Sequence, residues 1–366
     1  MPEKGAPPNV HPVQRRVLKA LESLSSPLLP DDYLELINPL WSTRELRGRI
    51  QEVRHETEQA ATILIKPGYR WPGHRPGQYV RIGVDIDGVR HWRAYSLTSD
   101  PYREDGLISI TPKRVDAGKV SPYLVDRARP GTIVSLSNIE GEFVLSDPPA
   151  AKLLFVSAGS GVTPIMSMLR HLDHYDNLSD AVLLHSARCT DEVIFGDDLR
   201  ELAARRDGFR LHEQLTGEHG RMRPDALERL CPDWRERETY ISGPGEMLDA
   251  FTGYFEREAD PDRLHMERFQ PKLGLGENGA GEGGRVKFLV SDCEAESDGK
   301  TPILLAGEQK GLELPFGCRE GICHTCVGEL RSGRVRDLRT GQVYGQEGEV
   351  IRTCISAPEG PIEIDL

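Results

Sequence analysis

No run of apolar residues in this chain approaches the roughly 18 needed to cross a bilayer, so no transmembrane helix is expected. Its first residues, MPEKGAPPNV, lack the charged-then-apolar pattern of a secretion signal, and a cytoplasmic protein is expected. Basic charge is in the minority. The 46 Lys and Arg face 58 Asp and Glu, a net charge of −12 with no basic stripe to offset it, which argues against a nucleic-acid partner. Cysteine is scarce as well, seven in 366 residues. Cys189, Cys231 and Cys293 form an odd, scattered remainder that excludes a disulfide framework and reads as reduced, buried thiols. A single core is also excluded, since domains run to about 100 to 200 residues and the chain has room for two or three.

The other four cysteines are grouped. In PFGCREGICHTC they stand at Cys318, Cys323 and Cys326, and Cys354 follows after 27 further residues in EVIRTCIS. CxxxxCxxC with a distant fourth cysteine is the spacing with which plant-type ferredoxins hold a 2Fe-2S cluster. Three sulfurs from one loop must converge on two irons, which needs a tightly curled backbone, and Gly317 and Gly321 beside the first two cysteines permit the curl. Structural zinc also takes four cysteines, but its ligands usually come as two CxxC-like hooks, and here the fourth stands alone. His324 lies between two of these cysteines and reads as a loop-surface residue.

Ahead of this motif the pattern changes three times. Residues 1–45 begin with a Pro-rich tail and continue with VQRRVLKALESL and DDYLELINPLW, two segments with helical spacing. From Leu46 to about residue 148 come strands separated by Gly, Pro and Asp turns: RGRIQEV, AATILIKP, QYVRIGVDI, VRHWRAYSLTS, LISITPKRV and TIVSLSNI. Within them Arg93, Tyr95 and Ser96 form RAYS, and Gly118, Lys119, Val120 and Ser121 form GKVS. A guanidinium suits a pyrophosphate, an aromatic face suits a flat ring, and a Gly-led turn can open a helix toward a phosphate. Residues 149–270 then alternate strand and helix, the pattern of a parallel sheet covered by helices. The turn AGSGVTP places Gly159 and Gly161 after a buried strand and before a helix that Thr163 is expected to cap. PKLGLGENGAGEGG, residues 271–284, is a flexible linker by composition, and residues 285–366 carry the cysteines.

On these motifs the chain resembles the ferredoxin-NADP reductase superfamily, in its single-chain branch with a C-terminal plant-type ferredoxin. The resemblance covers roughly residues 46–366. It implies an antiparallel β-barrel flavin domain, an α/β parallel-sheet nicotinamide domain and an α+β ferredoxin domain of the β-grasp type, with FAD, NADPH or NADH, and a 2Fe-2S cluster as cofactors. By the family's RxYS motif, Arg93 holds the flavin phosphate, Tyr95 stacks on its ring and Ser96 addresses N5. GKVS contacts the FAD pyrophosphate. SNIEGEF departs from the GPxGxF-like turn of many relatives. TYISGPGEM resembles the family's YxCGPxxM stretch and puts Ser242, Gly243 and Pro244 by the nicotinamide, with Ser242 in place of the usual Cys. Glu267 and Phe269 resemble the ExF residues that flank flavin and nicotinamide.

At the ribose end an NAD enzyme often presents Asp or Glu, whereas LLHSARCTDE offers Ser186 and Arg188, which favours NADPH. The branch serves oxygenases, hydroxylases and acyl desaturases as electron donor. Among these a membrane-bound di-iron fatty acyl desaturase or hydroxylase is the expected acceptor, with a soluble ring-hydroxylating dioxygenase or di-iron monooxygenase as rival. Seven Lys and Arg against six acidic residues in positions 1–50 make the arm slightly basic, which allows weak peripheral contact at the inner face of the membrane. The bland alternative is an arm that only covers the next domain. A redox-sensing module is a further alternative, against which intact RAYS, GKVS and GSGVTP speak. No second pocket motif or metal triad suggests that the chain itself oxidises a small molecule.

Overall fold

A computed structural model of the chain describes residues 37–116, 118–269, 281–312, 314–316, 321 and 326–366. The first expected amino-terminal helix, most of the second and most of the glycine-rich linker lie outside the described residues, and the end of the second forms a 3-10 turn, Pro39–Trp41. Two compact units emerge, residues 1–269 and 270–366.

The first unit opens with six antiparallel strands, β1 (Arg47–Thr57), β2 (Ala60–Pro67), β3 (Tyr79–Ile86), β4 (Val89–Ser96), β5 (Ile108–Ile110) and β6 (Ile133–Glu140). They pair in the order β4-β3-β6-β1-β2-β5. Alternation along β3 buries Val80, Ile82 and Val84 against Ile50, Ile65 and Leu136. The two ends of the sheet meet where Leu97, just past β4, bridges Ile110 on β5, and the Thr98 N–H donates to the Ser109 carbonyl at 2.8 Å. That contact closes the sheet on itself.

Five parallel strands follow: β7 (Leu153–Ala158), β8 (Ala181–Ala187), β9 (Phe209–Leu215), β10 (Glu238–Ser242) and β11 (Leu264–Glu267), in the order β11-β10-β7-β8-β9. Helices α1 (Val162–His174) and α2 (Gly196–Arg205) pack Ile165, Leu169 and Leu199 on Phe155 and Leu183 of one face. Helix α3 (Gly245–Glu258) packs Leu248 and Phe251 on Val156, Leu184 and Ile241 of the other. The chain leaves β7 toward β8 on one side and returns as β10 on the other, so a topological switch point lies at the carboxyl end of β7. PDALERL makes only a 3-10 turn and one helical turn, Pro224–Ala226 and Leu227–Leu230.

Sheet and barrel are locked through the segment that continues β4. Ser167 Oγ on α1 donates to the Ser99 carbonyl at 2.8 Å, and Arg170 Nη1 donates to the Thr98 carbonyl at 2.7 Å. The buried carboxylate of Asp100 meets Nδ1 of His174 at 2.8 Å and of His171 at 3.3 Å. Gly77 has no room for a side chain here, because a Cβ would stand 2.1 Å from the Phe143 carbonyl oxygen and 2.5 Å from Met168 Cε.

In the second unit, β12 (Gly284–Phe288), β13 (Cys293–Ser297), β14 (Val327–Ser332), β17 (Val350–Arg352) and β19 (Ile362–Asp365) pair in the order β13-β12-β19-β14-β17. A small second sheet orders β15 (Val335–Asp337), β16 (Val343–Tyr344) and β18 (Ser356–Pro358) as β16-β15-β18. Helix α4 (Ile303–Gln309) seals Ile303, Leu304 and Ala306 onto Phe288 and Ile364. This is the expected α+β arrangement, with β12 already under way at the last linker glycine. Among the spare cysteines only Cys231 is buried as expected. Cys189 is exposed just beyond β8, and Cys293 is part-exposed at the start of the edge strand β13. Among the described residues no helix is long and apolar enough to cross a membrane.

Candidate active site

RAYS lies at the end of β4. Pairing with β3 sets Tyr95 opposite Val80, Arg93 opposite Ile82 and His91 opposite Val84, so these three share one face while Ser96, opposite Tyr79, takes the other. Tyr95 packs one side on the barrel core and stays part-buried, and burial pushes its phenol well above the usual range. The GKVS turn packs beside β4. Burial first, then the charges of Lys119 and Arg93, hold the His91 imidazole below its ordinary value. His91, Arg93 and Lys119 therefore form one basic corner. His91 was legible in the sequence as the residue two before Arg93 on an alternating strand, yet RAYS alone does not point to it.

GKVS itself makes a single helical turn, Val120–Pro122. The Val115 N–H donates to Ser121 Oγ at 3.1 Å, and the Gly118 N–H donates to the Val115 carbonyl at 2.8 Å. A Cβ on Gly118 would press to 3.0 Å from that carbonyl oxygen. Ser121 and Gly118 thus shape the turn that carries Lys119.

The AGSGVTP turn sits at the switch point. Gly159 has φ +53 and no heavy atom within 4 Å of where a Cβ would stand, which leaves the backbone open to a ligand. Gly161 faces inward, where a Cβ would lie 2.1 Å from the Ser242 carbonyl oxygen. A Cβ on Gly243 would in turn approach Met247 to 2.6 Å and the Ala158 amide to 3.3 Å. These glycines let the ends of β7 and β10 touch, and Pro244 then leads into α3. Thr163 does not cap α1. The helix begins one residue earlier, at Val162, and the Thr163 hydroxyl donates backward to the Ser160 carbonyl at 2.8 Å.

A polar row crosses the carboxyl ends of the strands. In register stand Glu267 of β11, Ser242 of β10, Ser157 of β7 and His185 of β8. Ser157 Oγ lies 2.8 Å from His185 Nδ1, and burial holds that imidazole down to about 4, neutral in the physiological range. Ser242 is fully buried, and its Oγ, the Ser186 Oγ and the His185 Nε2 have no hydrogen-bond partner among the described residues. Such groups cost free energy unless something else satisfies them, which fits a bound dinucleotide. Nothing in the residue pattern pointed to Ser157 and His185, because their pairing depends on strand register. Arg188 is exposed past the end of β8, and no ion pair engages it among the described residues.

Glu267 links the row to the barrel. Burial alone pushes its carboxyl up to about 7. Tyr79, whose hydroxyl donates to Glu140 Oε2 at 3.1 Å, is raised by burial, then by Glu140, then by Glu267. Tyr79 pairs with Ser96 and Glu267 with Ser242, so the field of Glu267 on Tyr79 couples the end of the sheet to the β3–β4 end of the barrel.

In the second unit Cys326 and Cys354 are buried, while Cys318 and Cys323 lie outside the described residues. The Gly321 N–H donates to Cys354 Sγ at 3.2 Å, and the Thr353 N–H and hydroxyl donate to the Cys326 carbonyl at 2.9 and 2.8 Å. An N–H aimed at a sulfur fits a thiolate that ligates a cluster.

Comparison with known proteins agrees with this geometry. Residues 66–144 match an oxidoreductase FAD-binding domain, residues 155–252 an oxidoreductase NAD-binding domain and residues 289–359 a 2Fe-2S iron-sulfur cluster binding domain. An NADPH oxidoreductase of Mycobacterium tuberculosis is 45% identical over 359 residues, covering 97% of this chain and 93% of its own. The chain belongs to the ferredoxin reductase family with a C-terminal 2Fe-2S domain. Like its family it is an NAD(P)H-dependent oxidoreductase that uses FAD and a 2Fe-2S cluster. It is also similar to the glycine betaine monooxygenase reductase subunit of Pseudomonas aeruginosa, 32% identical with 80% of this chain and 87% of the relative covered. A ferredoxin reductase component of 3-ketosteroid-9-alpha-monooxygenase from M. tuberculosis is 31% identical, with 86% and 93% covered. The fold matches that of phthalate dioxygenase reductase with a TM-score of 0.57 over 87% of this chain and 97% of that one, at 22% identity.

The elevated carboxyl of Glu267 has a measurable consequence. An unfolded glutamate titrates near 4.3, roughly, so between there and about 7 the native chain keeps a proton that the unfolded chain has released. Stability from this group is complete below the lower value and is lost as pH rises through the upper one. Glu267→Gln, which cannot ionise, is expected to match the wild-type thermal midpoint near pH 4 and to exceed it near pH 8, roughly spanning that window. An equal shift at both ends would place Glu267 in solvent.

Proposed function

We propose that this chain passes electrons from NADPH through FAD and its 2Fe-2S cluster to an oxygen-activating terminal component. Residues 46–148 form the flavin domain, 149–270 the nicotinamide domain and 285–366 the ferredoxin domain, with 271–284 as linker and 1–45 as an amino-terminal arm. The observation that carries the reading is the row of Glu267, Ser242, Ser157 and His185 across the carboxyl ends of the strands, beside buried Ser186 and Ser242 hydroxyls that have no partner among the described residues. FAD, when bound, accepts a hydride and gives up single electrons, and a 2Fe-2S cluster carries them one at a time.

The side chains divide the labour. Arg93 and Lys119, on a turn set by Gly118, Val120 and Ser121, hold the FAD phosphates, and Tyr95 offers its free face to the ring. Ser96 addresses the reacting edge. Gly159, Gly161 and Thr163 shape the turn beneath the dinucleotide, Ser186 and Arg188 receive its ribose end, and Ser242, Gly243 and Pro244 bound its nicotinamide. Glu267 and Ser242 orient that ring and keep water from it, which is how positioning lowers the barrier to hydride transfer. Cys318, Cys323, Cys326 and Cys354 hold the cluster.

Changing Cys323 to Ser is expected to abolish electron output to a protein acceptor while NADPH still reduces the flavin and ferricyanide still collects from it. Wild-type output to the protein acceptor would put the cluster off the route.

NADPH is favoured over NADH because Arg188 is exposed past β8 with no ion pair among the described residues, and an arginine recognises a phosphate. Arg188→Ala is expected to raise the KM for NADPH far more than that for NADH, by a loss of roughly 1.5 to 3 kcal/mol. Equal effects on both coenzymes would remove the basis for the preference.

The relatives named as monooxygenase reductases support an oxygenase-type acceptor. Among such acceptors we favour a membrane-bound di-iron desaturase or hydroxylase acting on lipid-like substrates. Arg15, Arg16 and Lys19 of the arm would supply about 1 kcal/mol each at an anionic surface, enough for salt-sensitive docking of a cytoplasmic protein and too little for an anchor. Removing residues 1–40 is expected to leave NADPH-driven dye reduction unchanged and to slow delivery to a membrane acceptor, most at low ionic strength. Unchanged delivery by the folded, flavin-loaded truncation would favour a soluble oxygenase as acceptor.

A further inference from the structure

One residue of the cysteine loop, Gly321, is tied at both ends to the segment that carries Cys354. Its N–H donates to Cys354 Sγ at 3.2 Å, and its carbonyl accepts from Arg352 Nη1 at 2.8 Å. Its φ is +73, and a Cβ there would stand 2.5 Å from Ile355 Cδ1, so the residue is pressed onto the same segment sterically. Arg352 is oriented in turn. Its Nη2 lies 3.9 Å from the carboxylate of Asp337, a buried residue that also takes two hydrogen bonds from Arg339 at 3.2 and 2.8 Å.

We propose that Arg352 is a positioning residue that sets the reduction potential of the cluster, by holding Gly321 so that its N–H stays on Cys354 Sγ and by keeping a guanidinium beside the ligand loop. The inference rests on the reading of Cys354 as a cluster ligand. Reduction adds one negative charge to the cluster. Hydrogen bonds to its sulfurs and a nearby cation stabilise that added charge more than they stabilise the oxidised form, so both raise the potential. Arg352 supplies the cation directly and the hydrogen bond through Gly321.

The test is a potentiometric titration of the full-length, cofactor-loaded protein, with the reduced cluster followed by electron paramagnetic resonance. Arg352→Gln is expected to shift the cluster's reduction equilibrium about tenfold toward the oxidised form, a midpoint about 59 mV more negative for one electron, with the flavin midpoint unmoved. Arg352→Lys, which keeps the charge and loses the planar fork, is expected to fall between the two. A fully loaded Arg352→Gln protein with wild-type midpoint and spectrum would overturn the proposal. Should that variant fail to take up iron and sulfide, Arg352→Lys decides, a lowered midpoint supporting the role and a wild-type midpoint refuting it. A wild-type protein with no reducible 2Fe-2S signal would refute the cluster reading itself, a result distinct from either.

Discussion

The grip of helix α1 on residues 97–100 is the contact on which the first unit depends. The strand that ends in Tyr95 and Ser96 runs straight into Leu97, Thr98, Ser99 and Asp100. Thr98 and Leu97 close the barrel on one side, while Ser167, Arg170, His171 and His174 hold the same segment from the other. Helix α1 starts at the Gly159–Gly161 turn and therefore cannot move without moving the floor of the nucleotide crevice. One helix thus carries the dinucleotide turn at its beginning and the flavin strand along its side. Donation from side chains to backbone carbonyls makes this join insensitive to the identity of residues 98 and 99, whereas Asp100 contributes through its own carboxylate. Each such bond is worth only about 1 kcal/mol, more where a charge takes part, so the lock comes from several bonds acting on four consecutive residues.

That constraint explains why the glycines at the switch point are placed as they are. Gly161 and Gly243 allow the ends of β7 and β10 to press together under α1, where any Cβ would meet backbone within 3.3 Å. Gly159, one turn outward, faces open space, where packing demands nothing of it. The same short GSG sequence therefore contains one glycine that packing requires and one that it leaves free, a distinction that only the surrounding atoms reveal.

Much of this was legible in the residues. Strand alternation, the RAYS and GKVS motifs and the cysteine spacing report local chemistry, and local chemistry survives folding. The readings that failed depend on what happens at element ends. Thr163 looked like a cap because a hydroxyl precedes Pro164, yet the 3-10 turn at Gly159–Gly161 starts the helix earlier and leaves that hydroxyl to bond backward. Cys189 and Cys293 looked like buried thiols because the residue type is usually buried, but each lies just outside or at the edge of a sheet. The Ser157–His185 pair and the Arg352–Gly321 bond were invisible for a third reason. They join residues 28 and 31 apart in sequence, through strand register in one case and loop return in the other, and no periodicity encodes such a meeting.

On the proposed reading, the charges of the first unit are sorted between a phosphate-binding end and a reacting end. Arg93 and Lys119 concentrate positive charge at the corner where a flavin's phosphates would lie, and with burial they hold the neighbouring His91 imidazole down. At the other end the row of Glu267, Ser242, Ser157 and His185 carries less charge than its residue types suggest, since burial keeps the imidazole deprotonated and raises the carboxyl to about 7, where it is half ionised near neutral pH. The separation follows from mechanism. Phosphates are charged throughout the reaction and are best held by fixed cations, while the reacting rings exchange charge and gain most from oriented dipoles in a site closed to water. A thiol at position 242 would be one way to complete such a row. A buried serine hydroxyl, unpartnered and in register with Glu267, is another, and it keeps the reacting end polar without making it charged.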